Sequence, residues 1–567
     1  MPGFLVSDFE KKVELHNYAS YCRKDEMDCS SYWMKRNTLN KYLQDKIFCQ
    51  NEDYVLILEG VILNKTELCN QYGSELSQVI VRLYEELRDE FPKVLRGSFS
   101  GAVYEKKADR WLLYTDQIGT KPLYYYRSGK GFAAGTQLNY VTDVMKENGI
   151  ERNADEHGLS CLLVYGNFMD ECTGVAEIRR VLPGDYLVIE KGGCRTGTYY
   201  QLSAGKDEKV SDEEAIERLD ASFRNAVKRI LKKDEEYGYK TIIDISGGVD
   251  SRMIGYVTKA VGGKEVISLS YSQSGGREIK IAQEVANRLG YNFYYKALDN
   301  GSCLYDLDDN VLMNNGSAIY LGITGGRDFL QLLNPADYGM EMTGLLGDIY
   351  DGSMVTVDGE EKPYLEYSKF RFGSVLPYDD QTYSNLIGRF ENHELFWYYL
   401  RGMICGMSSF PIRQNFVEPM TPYGDVEFME AYLSIPWEAR VKRKLLSRWM
   451  LEKYPEAANI MYAATGVTIK DEFTFGGKVK KTLKFINQEI HRQLHTMHKG
   501  YQMTPFDYWI REYPEILDFM MKYYKDNIER TAGTMKAKIQ RMMDPDTPVI
   551  DKALALTALA YYKHFLD

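Results

Sequence analysis

The sequence predicts an α/β protein of two sheet-containing domains: a β-rich one over 1–203 and a doubly wound parallel-sheet one over 210–567 with a helical C-terminal part. Three observations carry this. Apolar, aromatic-rich runs separated by turn-forming residues fill the first part of the chain. A polar stretch, SAGKDEKVSDEE at 203–214, interrupts them. From 241 onward, short buried-strand runs alternate with helical periodicity, the pattern of a parallel sheet.

In the first domain the strand runs are DYVLILEGVIL (53–63), SFSGAVYE (98–105) and RWLLYTD (110–116), followed by GFAAGTQ, EIRRVL and DYLVIEKGG, with Pro183-Gly184 as a turn. Between them SELSQVIVRLYEELRDEF repeats Val79, Leu83 and Leu87 at helical spacing. At the boundary, Ser211 with Glu214 three residues on is a capping box. The helix it opens puts Ile216, Leu219, Phe223, Val227 and Ile230 on one face. Next come TIIDI (241–245), helical RMIGYVTKAV, VISLSY (266–271), a helix carrying Ala282, Val285, Ala286 and Leu289, and YNFYYKAL. From about residue 385 the chain reads as helical.

At 567 residues the chain exceeds one ordinary core. Hydrophobic content of 44% and charged content of 27% describe a soluble globular protein. The net charge is −11, and no Lys/Arg block suits a duplex, so nucleic acid is not an expected partner. The short runs KVKK (478–481) and RVKRK (440–444) read as solvated helix faces. Nine dispersed cysteines form no CxxC pair and predict reduced thiols in a cytoplasmic compartment. MPGFLVSDFEKK is no leader, and no apolar run of about 18 residues occurs, so no membrane partner is expected. Homodimer formation is left open.

The chemistry concentrates in Ser246-Gly247-Gly248-Val249-Asp250-Ser251, between a buried strand and a helix. Two glycines let backbone approach an anion, the hydroxyls of Ser246 and Ser251 can donate to it, and the helix N-terminus adds positive potential. Asp250 would hold a divalent cation that neutralises departing pyrophosphate. The hexapeptide resembles the pyrophosphate loop of the ATP pyrophosphatase superfamily, whose members split ATP between its α- and β-phosphates.

Other landmarks resemble the asparagine synthetase family. Leu95-Arg96-Gly97-Ser98-Phe99, Asp116-Gln117-Ile118-Gly119-Thr120-Lys121-Pro122-Leu123-Tyr124-Tyr125 and Leu182-Pro183-Gly184 are similar to its "LxGxFA", "RDxxGxKPLYY" and "PPG". Thr343-Gly344-Leu345-Leu346-Gly347-Asp348 stands where the family has "SGEGSDE", and Val417-Glu418-Pro419-Met420-Thr421-Pro422 resembles "VExRxP". The resemblance implies an αββα Ntn-hydrolase-like first domain and an adenine-nucleotide α-hydrolase-like second one. It implies ATP and Mg²⁺ as cofactors, with Asp348 a second Mg²⁺ ligand beside Asp250. It also implies Ser270 near the adenine or ribose, Gly344 and Gly347 against the nucleotide, and Glu418 as acid/base. A structural ion pair is the competing reading of Glu418.

Departures from the family are equally informative. Its glutaminase uses a cysteine at position 2, where this sequence has Pro2; the first thiols, Cys22 and Cys29, are internal. The oxyanion motif "NGEIYN" reads Glu59-Gly60-Val61-Ile62-Leu63-Asn64, replacing an amide donor with an acid. The acid that grips the glutamine amine falls on Leu76. In the second domain Leu345 and Ile349 replace family acids, and the family lysine is missing from Ala464-Thr465-Gly466-Val467, with Lys470 nearby. The expectation is an ATP-dependent amide ligase without glutaminase chemistry. It would join a small-molecule or peptide carboxylate to an amine, as cysteine-less relatives such as β-lactam synthetases and lasso-peptide cyclases do. An ammonia-using asparagine synthetase and a decayed nucleotide-binding or scaffold protein are the rivals. Asn314-Asn315-Gly316-Ser317 and Gly325-Gly326-Arg327 are expected to face the substrate.

Overall fold

The computed structural model describes residues 1–19, 21–191, 193–203, 210–323, 326–350, 352, 356–357, 363–364, 371–377, 386–472, 474–493 and 502–567. Residue alternation along the strands decides the layers of the first domain. One antiparallel sheet contains β1 (Gly3–Ser7), β2 (Cys22–Cys29), β3 (Tyr32–Leu39), β8 (Leu123–Ser128), β9 (Gly131–Gly135) and β10 (Ile178–Val181), in the order β10-β8-β9-β1-β3-β2. The other contains β4 (Ile47–Gln50), β5 (Tyr54–Ile62), β6 (Gly97–Glu105), β7 (Arg110–Thr115), β11 (Asp185–Glu190) and β12 (Gly193–Thr198), in the order β12-β11-β7-β6-β5-β4.

On β5, Val55 and Ile57 enter the layer between the sheets with Trp111, Leu113 and Phe132. Leu56 and Leu58 point the other way, toward Val79 and Leu83 of α2 (Leu76–Leu87). Outside the first sheet, Leu5 and Ala133 meet Val141 and Val144 of α3 (Leu138–Glu147) and Leu159 of α4 (Glu156–Tyr165). The layers are therefore αββα. Strands β1 to β3 escaped the sequence reading; β2, CRKDEMDC, is a largely exposed edge strand whose polarity hides it.

Residues 204–209 of the expected boundary lie outside the described residues. Ser211 does cap α5 (Asp212–Tyr237), its hydroxyl accepting from the Glu214 amide at 3.2 Å. The second domain is a five-stranded parallel sheet: β13 (Lys240–Asp244), β14 (Val266–Ser272), β15 (Asn292–Ala297), β16 (Tyr338–Met342) and a short strand Glu418–Met420. Its order is β15-β14-β13-β16-(Glu418–Met420). The chain thus steps outward from β13 one way, then returns to lay β16 on β13's other side. That reversal opens a crevice at the carboxyl ends of β13 and β16, where doubly wound sheets bind ligands. Both sheet faces are covered: Ile242 packs with Ile267, Leu269 and Val417, and Ile243 and Ile245 with Ile254 and Val257 of α6 (Asp250–Ala260).

The domains dock through buried charge. Lys46 lies 3.3 Å from Glu59 and 3.1 Å from Glu418, and Lys121 reaches Glu418 at 3.0 Å. Asp45 pairs with Lys65 and Lys233 at 3.0 and 3.2 Å. Asp234 accepts from the Tyr42 hydroxyl, from Thr241 Oγ1 at 2.6 Å and from the Met340 amide at 3.2 Å. Asn314-Asn315-Gly316-Ser317 belongs to this docking and not to a substrate surface, which corrects the expectation. Asn315 Oδ1 accepts from the Leu138 amide at 2.8 Å, and Gly316 lies against the Tyr561 ring. Arg327 is spent on Asp309 at 2.7 Å, Gly326 is buried, and Gly325 lies outside the described residues. Among the described residues no helix is long and apolar enough to cross a membrane.

Burial, opposed by hydrogen bonds from Thr241, Tyr42 and Met340, raises the Asp234 carboxyl to about 6. A raised acid stabilises the fold fully below its unfolded value and loses that contribution as pH rises through the folded value. Urea unfolding across pH 4 to 7 is expected to show this loss, about 2–3 kcal/mol, and Asp234→Asn to flatten it.

Candidate active site

The strand-to-helix loop after β13 and the loop after β16 meet in the crevice. A cavity of about 370 Å³ there is lined by Asp244, Ser246, Asp250, Ser251, Ser270, Tyr271, Thr343, Gly344, Leu345, Asp348, Arg413 and Met503, among others. Residues from three separate parts of the sequence singled out for nucleotide chemistry, the 246–251 loop, Ser270 and the 344–348 segment, therefore share one space. Gly248, Val249 and Gly347 sit within the same two loops, and Gly247 forms the outer wall of the first.

The loop is folded tightly on itself. The Ser246 amide donates to Ser251 Oγ at 3.0 Å, the Gly248 amide donates to Ser246 Oγ at 3.1 Å, and the two hydroxyls lie 3.0 Å apart. The Gly247 amide donates to Glu278 Oε2 at 2.8 Å. A Cβ on Gly247 would stand 2.7 Å from Ala463 Cβ and would displace the Glu278 carboxylate, which favours glycine there. Likewise a Cβ on Gly347 would lie 2.5 Å from Asp250 Cγ, which is how the second loop comes close to the first. Leu346, between them, holds a left-handed φ of 72°, strain of the kind concentrated at functional loops.

Asp250 opens α6, and its backbone carbonyl accepts from the Tyr423 hydroxyl at 3.1 Å. Asp348 reaches solvent through the cavity, yet crowding raises its carboxyl above the usual range, with Arg401 pulling the other way. Among the described residues no three His, Cys, Asp or Glu side chains form a metal cage. With Asp244 taken by Arg413, the cavity's other two carboxylates, Asp250 and Asp348, fit Mg²⁺, which takes one or two acids and completes its shell with water and phosphate oxygens.

Glu418 is not in this cavity. It lies buried on its short strand between Lys46 and Lys121. Burial alone would raise its carboxyl, but the two lysines outweigh that and hold it below the ordinary range. The geometry corrects the acid/base expectation in favour of the ion pair. Lys121 of the "KPLYY" segment and Glu418 of the "VEP" segment are thus two halves of one interdomain contact.

Sequence reasoning missed Arg413, Asp244, Glu341 and Tyr271. Arg413 is buried at the cavity floor; it donates to Glu341, to Asp244 Oδ2 at 3.0 Å and to the Tyr271 hydroxyl at 2.9 Å. No local pattern links these positions, which the sheet order alone assembles. Also missed was Lys484, whose ammonium donates to the carbonyls of Ala463 and Ala464 at 2.5 Å each. The Ala463 amide in turn donates to the Gly247 carbonyl at 3.1 Å. Burial, then repulsion from Arg277, lowers Lys484 to about 8, with Glu278 opposing. Lys470, the residue noted from the sequence, is exposed on Ile469–Glu472.

An αββα domain joined to a parallel-sheet domain, with a glycine-rich loop at the sheet's switch point, defines a two-domain class whose ligand crevice lies at the carboxyl ends of the parallel strands. A glutamine amidotransferase domain model matches residues 43–200 and an asparagine synthase model matches 218–313. The chain is 28% identical over 268 residues to the glutamine-hydrolyzing asparagine synthetase B of Escherichia coli K12, covering 43% of this chain and 42% of that protein. It is 23% identical over 441 residues to a protein of Methanocaldococcus jannaschii named as an asparagine synthetase, covering 75% and 70%. The asparagine synthase model and these relatives are of the asparagine synthetase type, which the chain resembles across its two domains. The match to the Escherichia coli enzyme spans less than half of that enzyme's length, and the asparagine synthase model ends ahead of Thr343.

Replacing Arg413 with Met would leave Asp244 and Glu341 buried without their cation. Arg413→Met is expected to lower stability by about 3–5 kcal/mol in urea titration, several times the effect of removing an exposed ion pair.

Proposed function

We propose that this protein is an ATP- and Mg²⁺-dependent ligase that adenylates a carboxylate and transfers the acyl group to an amine. One observation supports it most: the cavity at the switch point joins the Ser246–Ser251 loop, Ser270 and two carboxylates in a chain whose relatives bear asparagine synthetase names. In this reading a carboxylate oxygen of the substrate attacks the α-phosphorus of ATP, and the bond to the β-phosphate bridge breaks. Asp250 and Asp348 would hold Mg²⁺, which would supply charge neutralisation for the pyrophosphate. Ser246 and Ser251 turn their hydroxyls from each other to the phosphates. The amine then forms the C–N bond, AMP leaves, and the released proton passes to water in the open cavity.

The first domain is read as hydrolysing no glutamine. Glu59, standing where the family has an oxyanion donor, is buried, accepts from Thr38 Oγ1 at 2.8 Å and pairs with Lys46. Leu76 is buried in the core against the second sheet. The amine is then free ammonia or a group on the substrate itself. Lys484 and Arg277 stand beside the loop as cations that would attract the polyphosphate in place of the missing family lysine.

Exchange of labelled pyrophosphate into ATP, with Mg²⁺ and a panel of amino acids, peptides and sugar acids, tests this. Carboxylate-dependent exchange that Asp250→Ala lowers about a hundred-fold or more is the expected result. ATP binding with no exchange for any carboxylate would favour the nucleotide-binding rival. Exchange with aspartate, and asparagine formed from added ammonia, would identify the asparagine synthetase reading. With burial lowering Lys484 to about 8, exchange is expected to fall above that pH, and Lys484→Arg to carry the activity to higher pH.

A further inference from the structure

The helix Phe475–Gln493 has an apolar face that nothing in the described structure covers. Phe475 is 84% exposed, Val479 43%, Leu483 60%, Ile486 51% and Ile490 49%. At about 100° per residue these five positions fall within about 80° of arc, a single stripe along the helix. Buried Gly477 lies on the opposite side. Lys481, paired with Glu472 at 2.5 Å, and Lys484, bonded to the Ala463 and Ala464 carbonyls, lie there too. The helix is therefore held to the body by its polar side and presents its apolar side outward, the reverse of a helix that serves the core.

Charge selects the occupant. The helix carries Lys478, Lys480, Lys481, Lys484 and Arg492 against one acid, Glu489, on a chain of net charge −11. Lys478 and Lys480, both exposed, stand about 100° to either side of the stripe's centre. Lysines there can lay their methylene stems along an apolar boundary while their ammonium groups reach an anionic layer above it. A second copy of the chain would instead bring equal positive charge onto this face.

We infer that the helix Phe475–Gln493 is an interfacial anchor that lies in the headgroup region of an anionic lipid bilayer. The stripe enters the acyl boundary and Lys478 and Lys480 engage the lipid phosphates. This revises the expectation that no membrane is a partner, and it does not depend on the catalytic reading. It is consistent with the lack of a spanning helix among the described residues. Through Lys484, Ala463 and Gly247 the anchor is tied to the phosphate loop, so docking would hold the cavity near the lipid surface.

The test is sedimentation of the full chain with sucrose-loaded vesicles, either of phosphatidylcholine alone or of phosphatidylcholine mixed with phosphatidylglycerol. Sedimentation with the mixed vesicles only, weakened by salt, is expected. Lys478→Gln combined with Lys480→Gln should reduce partitioning about thirty-fold, each lysine near an anionic surface contributing about 1 kcal/mol. Leu483→Glu combined with Ile486→Glu should abolish it, and circular dichroism of both variants should match the parent because all four positions are exposed. Equal sedimentation with both vesicle types, or with neither, overturns the inference. So does a dimer in gel filtration that Leu483→Glu with Ile486→Glu dissolves, because the face would then belong to a second copy.

Discussion

Everything in the second domain that bears on chemistry depends on the buried cation of Arg413. The sheet reverses its winding between the paired strands β13 and β16, so the loops that leave their carboxyl ends diverge across the crevice. Arg413 ties Asp244 at the end of β13 to Glu341 on β16 and to Tyr271 on β14. Burial and the nearness of Glu341 drive Asp244 well above the ordinary carboxylate range, and Arg413 opposes both. Such a cluster contributes little net stability, since desolvation offsets most of the Coulomb attraction. Its contribution is position: the carboxyl ends of three strands are fixed at one distance, and the loops of Ser246–Ser251 and Thr343–Asp348 inherit it.

A second buried network sets the relation between the domains. Glu418 follows directly from the sheet, on the strand paired with β16, and faces the first domain instead of the cavity. There it meets Lys46 and Lys121, and Lys46 also satisfies Glu59. A position that could have offered a hydrogen-bond donor in the first domain thus serves as a counter-charge in the interface. The acid that stands in place of an amide at Glu59 and the Lys46 ion pair seen in the structure are one change viewed from two sides.

Much of this was legible in the sequence where the signal was local. The loop Ser246–Ser251, the strand runs of β5 to β7 and β13 to β15, and the Ser211 cap each rest on spacing within a dozen residues. What stayed hidden depends on distant parts of the chain. Arg413 acquires meaning only when β13 and β16 are neighbours, and Lys484 only when its helix folds back on Ala463. Glu418 was singled out by motif, but its direction is a property of the strand that carries it. The same holds for Asn315, whose polarity suggested substrate and whose side chain instead caps α3 from the other domain. The KVKK run reads as a solvated face, and Lys478 and Lys480 are exposed while Lys481 pairs with Glu472, yet the apolar stripe the two exposed lysines border was invisible to a composition argument.

The shared contact of Lys121 with Glu418 has an evolutionary consequence. Because both charges are fully enclosed, neither can be exchanged without the other: a chimaera taking its first domain from a relative with a neutral residue at the Lys121 position would enclose an unbalanced acid. Exchanging one half alone would cost about 3–5 kcal/mol at this boundary, the penalty of leaving one partner of a buried pair without the other. Changes on the two sides of this contact are thereby coupled, and the first domain serves as a structural partner of the second.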